Sequence, residues 1–378
     1  MTVEVATGRS GLREIRRRVE RGQRLSREDG LALYAHPDLT ALGDLANARA
    51  EALHGRAVGY NVNRHINYSN LCRLSCMFCS FAKKLVDGKG LGYEFSTGEI
   101  LARAKEAADA GADEVHIVGG LHPSWPYETY PGMLRAIRER FPRLHLKAFT
   151  AVEIDFFASL AGRSVEWVLG DLREAGLGSL PGGGAEVLSE RVHRKIFRDK
   201  MGPGRWLEIH GIAHRMGIRS NATLLYGHIE RPGEKVDHLI RLREQQDRTG
   251  GFLTYIPLRF HNEHNQLRNI PMVRAVHSLR EIALGRLLFD NVPHVKAYWI
   301  MMGLETAQLC LQYGADDIDG TVVEEKITHM AGGRTPEGVG EEHLRLLIRE
   351  AGKAPVRRDT LYNRVPSRFD GEAVAPGA

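Results

Sequence analysis

Three cysteines lie close together in the first quarter of the chain: Cys72, Cys76 and Cys79, spaced four and then three residues apart. An iron–sulfur cluster takes about one cysteine thiolate per iron, so this triplet can hold three corners of a four-iron cluster and leave the fourth iron open. Structural zinc instead needs a closed shell of four ligands, usually in two pairs. No second cysteine pair follows, although His65 could complete a zinc shell, and Cys310 in a Leu-Cys-Leu setting is typical of a protein core. The spacing favours a cluster with one open iron.

The composition is that of an ordinary globular protein of 378 residues. Hydrophobic residues make up 43% and charged residues 26%, so the chain can bury a core without disulfides. No apolar run approaches the roughly 20 residues that span a bilayer, and the N-terminus lacks the apolar run of a signal peptide. The net charge of +5 is small, and no basic stripe with aromatic side chains accompanies it. We expect a cytoplasmic protein that binds an anionic small molecule and neither nucleic acid nor a membrane.

Short apolar segments alternate with longer amphipathic ones from about residue 57 onward. The predicted strands are Ala57–Ile66, Glu114–Val118, Leu144–Phe149, Ser179–Leu180, Arg219–Tyr226, Phe252–Leu258, Val295–Met301 and Ile318–Val323. The predicted helices between them are Thr97–Ala110, Tyr130–Arg140, Val165–Ala175, Arg205–Met216, Glu234–Thr249, Leu279–Asp290 and Leu304–Tyr313. Eight strands alternating with helices predict an α/β fold, a (β/α)8 TIM-type barrel. An open barrel with fewer strands or a doubly wound sheet would give much the same pattern.

The chain divides into three expected segments. Residues 1–56 form an N-terminal helical extension, with Ser26 and Asp38 as candidate helix caps. Residues 57–352 form the barrel, and residues 353–378 form a C-terminal tail whose last eight residues are expected to fray. In a barrel the working face is the rim at the C-terminal ends of the strands, and the cysteine triplet falls there.

The triplet at the end of the first strand, with the aromatic Phe78 before its last cysteine, resembles the radical S-adenosylmethionine (SAM) enzymes. From about Leu31 to Val365 the chain resembles the aminodeoxyfutalosine synthase family of menaquinone biosynthesis. Four stretches carry this closer resemblance: His116-Ile-Val-Gly-Gly-Leu-His-Pro123, Lys147-Ala-Phe-Thr-Ala-Val-Glu153, Ser179-Leu-Pro-Gly-Gly-Gly-Ala-Glu186 and Asp319-Gly-Thr-Val-Val-Glu-Glu-Lys326.

The resemblance implies a transferase with a [4Fe–4S] cluster on Cys72, Cys76 and Cys79. It further implies SAM as a co-substrate that chelates the open iron, and a one-electron reductant such as flavodoxin or ferredoxin. The implied substrate is the dicarboxylate 3-[(1-carboxyvinyl)oxy]benzoate, whose enol-ether double bond is attacked by the 5′-deoxyadenosyl radical. The adduct rearranges onto the arene and loses a carboxyl group, giving 6-amino-6-deoxyfutalosine.

The same resemblance suggests a set of SAM-binding residues: Phe78, Gly119, Gly120, Glu153, Glu186, Leu225 and Gly227. The glycine pair would let the SAM ammonium approach backbone carbonyls, although a glycine pair after a strand is also typical of a turn. Glu153 and Glu186 would accept hydrogen bonds from ribose hydroxyls or the ammonium, or else serve as helix-cap partners. Two departures from the family pattern are Leu121, where an acidic residue is usual, and Thr223, where glycine is usual.

A substrate with two carboxylates requires cationic or imidazole donors. The candidate catalytic and substrate-binding residues are His65, His228, Arg259 and His261, each of which could instead be a structural residue. Three other functions remain open at this point. Two are the sister dehypoxanthine futalosine cyclase and the deazaflavin-chromophore synthase, and the third is a zinc-stabilised binding module.

Overall fold

The computed structural model describes residues 9–84 and 92–370, so the last eight residues of the expected tail lie outside the described residues. The strands are β1 (Ala57–Asn61), β2 (Asn63–Ile66), β3 (Glu114–Ile117), β4 (His145–Ala148), β5 (Leu177–Leu180), β6 (Arg219–Tyr226), β7 (Phe252–Arg259), β8 (His294–Val295), β9 (Asp317–Gly320) and β10 (Ala354–Arg357).

Within residues 9–84 and 92–370, three helices precede the first strand, and the other helices follow the strands along the chain. The helices are α1 (Arg9–Glu20), α2 (Arg27–Ala35), α3 (Leu39–His54), α4 (Thr97–Asp109), α5 (Thr129–Arg140), α6 (Ala151–Ala161), α7 (Val165–Glu174), α8 (Glu190–Ile196), α9 (Pro203–Arg215), α10 (Pro232–Thr249), α11 (Ala275–Leu288), α12 (Trp299–Met302), α13 (Leu304–Cys310), α14 (Ile327–Met330) and α15 (Glu341–Glu350). Ser26 and Asp38 cap α2 and α3 as the sequence predicts: each side chain accepts a hydrogen bond from a backbone amide of its helix's first turn.

Strands β2 to β8 form one parallel sheet in chain order, and β10, β1 and β9 form a second sheet. Two isolated parallel bridges join the sheets, from Lys296 to Asp317 and from Arg64 to Val323. Strands β2 to β9 therefore follow one another around a ring, which single bridges rather than full ladders complete. The predicted α/β barrel class is confirmed. The eight strands β2 to β9 enclose the interior.

Parallel strands are covered by helices on their outer faces, so those faces are largely apolar. Seven of the eight residues of β6 are buried, and β6 pairs with β7 over almost its full length. Among the described residues, no helix is both long and apolar enough to cross a membrane.

Two strand predictions and the expected C-terminal tail need correction. The predicted strand Ala57–Ile66 divides at Val62, because β1 pairs with β9 and β10 whereas β2 pairs with β3. In the predicted strand Val295–Met301 only the first residue is a strand residue, and a short helix begins at Trp299, whose indole Nε1 donates to the Gly320 carbonyl at 2.9 Å.

The third correction concerns the segment after residue 353, which the sequence suggests is a tail. Residues 354–357 form β10, which lies parallel to β1. The next residue, Arg358, is buried and pairs with Asp317 of β9. The division of the chain into three segments stays a prediction, and the first residues of the third segment pack on the barrel.

Candidate radical SAM active site

The barrel encloses a cavity of about 330 Å³ that opens at the C-terminal ends of the strands. The predicted site residues that line it are Cys72, Cys76, Cys79, His65, Phe78, Gly119, Glu153, Glu186, Leu225 and His261. The four that do not line it are Gly120, Gly227, His228 and Arg259. The walls are largely apolar and include Val118, Leu121, Ile256, Leu258 and Phe260. The structure thus gathers residues from most strands around one enclosed space.

The cysteine loop, residues 72–79, follows β2 and lies at the mouth of the cavity. All three sulfurs are free thiols that line the cavity, as expected of cluster ligands. Backbone amides already point at two of them: Leu121 N donates to Cys72 Sγ and Ala82 N donates to Cys79 Sγ, both at 3.4 Å. Burial raises the pKa of Cys76 to about 12, so this thiol stays protonated until a metal displaces the proton. The donor set fits a three-cysteine cluster site.

The glycine pair Gly119-Gly120 packs against this loop. A Cβ on Gly120 would lie 2.2 Å from the Leu71 carbonyl oxygen and 3.0 Å from Cys72 Cβ. A Cβ on Gly119 would lie 2.6 Å from the Tyr68 ring. The glycines are therefore required for close packing between the end of β3 and the start of the cysteine loop. Their predicted contact with the SAM ammonium stays a prediction, and only Gly119 lines the cavity.

Glu153 is buried at the start of α6. Its position is compatible with both roles that the sequence suggests, helix capping and binding of SAM. Its Oε2 accepts hydrogen bonds from the amide and hydroxyl of Thr150, which completes a capping box. Its Oε1 accepts from the Tyr68 hydroxyl at 2.8 Å and from Gly119 N at 3.1 Å. Burial raises the pKa of Glu153 to about 7, against the effect of these four donors. Glu153 thus joins α6 to the glycine pair, and it also lines the cavity.

Glu186 forms an ion pair with Lys200, a residue that is not among those predicted from the sequence. Both side chains line the cavity, and Lys200 Nζ lies 5.6 Å from the centroid of the Phe78 ring, within the cysteine loop. Glu186 has a backbone φ of 51°, a region that side-chain-bearing residues seldom occupy, so its position is imposed by the fold. A buried ammonium and a partly buried carboxylate side by side match the two charges of an amino-acid head group. No local signal in the sequence marks Lys200.

Leu225, Gly227 and His228 were all predicted to contact SAM or the substrate, but only Leu225 is placed to do so. Leu225 lines the cavity, but Gly227 and His228 do not. Glu230 accepts hydrogen bonds from Gly227 N at 2.7 Å and His228 N at 2.9 Å, and His228 Nδ1 is 3.0 Å from the same carboxylate. This acidic residue therefore closes its own turn, which holds His228 away from the cavity.

Arg259 and His261 end β7 with different orientations. Arg259 turns out of the barrel, where its guanidinium donates to the Val273 carbonyl, and it lines a second, outer cavity. His261 lines both cavities, and its Nε2 donates to the Met301 carbonyl at 2.8 Å. Of these two candidates for the substrate carboxylates, only His261 faces the main cavity.

The deepest part of the cavity is polar, and we call four of its residues, His65, His116, Lys147 and Lys296, the polar floor; Asp319, the partner of Lys296, also lines the cavity. His65, His116 and Lys147 are register partners on β2, β3 and β4, so their side chains point to the same face. Only His65 was a candidate from sequence. The available signal was a charged or imidazole side chain at an inward position of an otherwise apolar strand, as in the predicted strand Leu144–Phe149.

Comparison with known proteins agrees with this geometry. A family model described as the radical SAM superfamily matches residues 66–243, and one described as the CofH/MqnC C-terminal region matches residues 249–368. The chain is 45% identical to the aminodeoxyfutalosine synthase of Streptomyces coelicolor, with 93% of each chain covered. It is 43% identical to that of Thermus thermophilus, with 93% of this chain and 95% of the relative covered.

More distant relatives differ in function. The chain is 36% identical to the cyclic dehypoxanthine futalosine synthase of S. coelicolor, over 95% of this chain and 90% of that one. Among solved structures, methylornithine synthase superposes with a TM-score of 0.73 at 17% identity, over 91% of this chain and 97% of that one, a likeness that concerns the fold alone. From the cysteine loop, the barrel and these matches together, the chain belongs to the radical SAM superfamily and, within it, to the aminodeoxyfutalosine synthase family.

Proposed function

We propose that this protein is a radical SAM synthase that joins the 5′-deoxyadenosyl group of SAM to 3-[(1-carboxyvinyl)oxy]benzoate, forming 6-amino-6-deoxyfutalosine for menaquinone biosynthesis. Its family membership supports the proposal. The structural observation that carries it is one cavity lined by three free cysteines at its mouth and by a polar floor at its closed end, with apolar walls between. Such a cavity suits a substrate whose arene lies between polar ends.

The cluster and SAM, when bound, supply the carbon radical for the reaction. In this proposal Cys72, Cys76 and Cys79 hold the cluster, and Leu121 N and Ala82 N hydrogen-bond to its thiolates. We assign the head group of SAM to Lys200 and Glu186, with the carboxylate on the lysine and the ammonium on the glutamate.

The apolar walls have a separate task. Leu225, Ile256, Leu258 and Phe260 form a surface against which the arene can pack without hydrogen bonding. The same residues exclude water from the space between the cysteine loop and the polar floor, which protects reactive species from side reactions. A reductant such as flavodoxin or ferredoxin would deliver electrons near the cysteine loop. A cytoplasmic location stays a prediction that rests on the oxygen-labile chemistry.

A product assay tests the proposal. Protein purified and reconstituted without oxygen is reduced and mixed with SAM and the enol-ether benzoate, and the products are analysed by mass spectrometry. We expect an adduct that contains the whole adenosyl group and has lost one carboxyl group, formed in step with SAM consumption. Formation of free 5′-deoxyadenosine with no adduct would contradict the proposal.

The assay also separates the alternatives. Dehypoxanthine futalosine in place of the enol ether tests the sister cyclase, and we expect it to remain unchanged, in agreement with the lower identity to that enzyme. The precursors of the deazaflavin chromophore test the third enzyme in the same way. Iron and sulfide analysis tests the zinc-stabilised binding module, which membership of an enzyme family does not favour.

A further inference from the structure

We infer that the polar floor binds the ring carboxylate of the substrate, the carboxylate that the reaction retains. This inference rests on the proposed function and adds to it the residues that recognise the far end of the substrate. These are Lys147 and Lys296, with His65 beside them. Neither lysine is among the site residues predicted from the sequence.

The two lysines are buried side chains from opposite sides of the barrel. Lys147 is on β4 and Lys296 immediately follows β8, four strands further around the ring, and both line the cavity. They are 4% and 2% exposed, respectively. A lysine so deeply buried is rare unless it is paired, because its charge loses the stabilisation that water provides.

Each lysine has a counter-ion on one side. Lys147 Nζ donates to Glu114, and Lys296 Nζ donates to Asp319 Oδ1 at 2.7 Å. Burial alone would raise the pKa of Glu114, but Lys147, Lys296 and Arg358 together hold it well below its usual value, so the carboxylate is charged. Glu114 does not line the cavity, so it compensates Lys147 from behind, whereas Asp319 lines the cavity beside Lys296.

Each ammonium has hydrogen-bond donors to spare. A lysine ammonium can donate three hydrogen bonds, and within the described part of the chain Lys147 and Lys296 each donate one. His65 is 3% exposed and lines the cavity, and its Nε2 has no hydrogen-bond partner among the described residues. A buried polar atom left in this way is costly unless a ligand or water satisfies it. A carboxylate of the ligand would accept from all three side chains.

Position decides which carboxylate this is. Gly119 is three residues beyond His116 on the same strand path, so the floor lies roughly 10 Å deeper than the glycine pair beside the cysteine loop. The carboxylate on the enol ether is attached to the reacting double bond and must stay near the adenosyl carbon. The ring carboxylate lies across the arene and can reach the floor. A carboxylate held by two lysines is also stabilised as an anion, which suits the group that is kept rather than the one that is lost.

Equilibrium binding tests this inference without turnover. Cluster-loaded protein with SAM but no reductant is titrated with two probes: the dicarboxylate, and 2-phenoxyacrylate, which lacks only the ring carboxylate. We expect wild-type protein to bind the dicarboxylate roughly 10- to 100-fold more tightly, the range for a charge-assisted hydrogen-bonded carboxylate. In Lys147→Met and Lys296→Met this preference should fall by roughly tenfold.

Two further variants separate binding from folding. Lys353→Met removes another buried lysine, which pairs with Glu51 at 2.7 Å outside the cavity, and should keep the wild-type preference. The double variant Lys147→Met/Glu114→Gln removes the ion pair without leaving a charge, so it tests the site if Lys147→Met fails to fold.

The outcomes distinguish this inference from the proposed function. An unchanged preference in the folded floor variants overturns the inference, even if wild-type protein makes the adduct. Absence of the adduct with tight, floor-dependent binding of the dicarboxylate overturns the proposed chemistry and leaves the carboxylate site standing. Equal binding of both probes by wild-type protein overturns the inference directly.

Discussion

The cysteine loop and the polar floor lie at two ends of one cavity and are stabilised in different ways. The loop is a continuous segment held by backbone contacts: the Cys72 amide donates to Lys83 O, and the Arg73 amide donates to Leu121 O. The floor is assembled from separate strands and is held by ion pairs between side chains, such as Lys296 with Asp319. Damage to the loop should abolish function, whereas damage to the floor should weaken binding of one substrate group by a measurable factor.

The largest effect is expected from Cys76→Ala. Removing one of three thiolates leaves too few ligands for the cluster, so iron should fall from about four atoms per chain to well under one and adduct formation should cease. Iron analysis and the product assay measure this. The control is Cys310→Ala, which removes a buried thiol that packs 3.7 Å from Met302 Sδ, far along the chain from the loop. It should keep its iron and lose about 1 kcal/mol of unfolding free energy. Retention of a full cluster by Cys76→Ala would contradict the assignment.

The next largest effect is expected at Gly120, whose close packing against Leu71 positions the cysteine loop. In Gly120→Ala the new methyl group would lie 2.2 Å from the Leu71 carbonyl oxygen, so the loop must shift, at a cost of about 1–3 kcal/mol. We expect most of the bound iron to be lost. The matched control is Gly132→Ala in α5, where, apart from the helix's own backbone and the two chain neighbours, no atom of the described residues lies within 4 Å of the added Cβ. There alanine should stabilise the helix by about 0.5–1 kcal/mol. Equal iron content in the two variants would show that the glycine is not needed for the loop.

A smaller effect is expected at the Lys200–Glu186 pair. Lys200→Met removes the proposed partner of the SAM carboxylate, so the KM for SAM should rise by roughly tenfold while iron content stays unchanged. Lys195→Met, an exposed lysine of α8, is the control and should leave the KM unaltered. If the KM for the benzoate substrate rose instead, Lys200 would belong to the substrate site and the two ends of the cavity would not be separate.

The last prediction is that the preference for the dicarboxylate over 2-phenoxyacrylate does not change with pH between about 6 and 8. A histidine that binds a carboxylate as a cation loses its charge as the pH rises through its pKa, so the KM for the substrate would increase between about pH 6 and 8. Burial lowers the pKa of His65 to about 4, so its ring is neutral throughout that range. We expect the ratio of the dissociation constants for the dicarboxylate and 2-phenoxyacrylate to stay flat. A severalfold weakening between pH 6 and 8 would place an imidazolium in the floor.

The two ends also differ in how far the sequence predicts them. Cysteine spacing is local, so Cys72, Cys76 and Cys79 could be recognised without any structure, and the alternation of strands with helices correctly indicates the α/β barrel. The floor depends on register. His65, His116 and Lys147 become neighbours only because β2, β3 and β4 align at those residues, which no single segment specifies.

The sequence also did not predict which side chains at the strand ends point into the cavity. Arg259 ends β7 at the expected rim, yet its guanidinium turns outward to the Val273 carbonyl, while Lys296 faces the cavity in a segment predicted as a long strand. Ile256, Leu258 and Phe260 line the cavity, so the alternation of faces along β7 places Arg259 outward. The sequence alone does not tell which of the two alternating sets points inward. Strand β10 was not predicted because it has only four residues, one of which is a proline, and such a segment carries little strand signal.

The central claim is that three cysteines leave one iron open for SAM. Electron paramagnetic resonance of the reduced, cluster-loaded protein tests it most directly, with spectra recorded before and after SAM is added. The account predicts a [4Fe–4S] signal whose g values shift on addition of SAM, because the co-substrate becomes a ligand of the cluster. A signal that is the same with and without saturating SAM would contradict it.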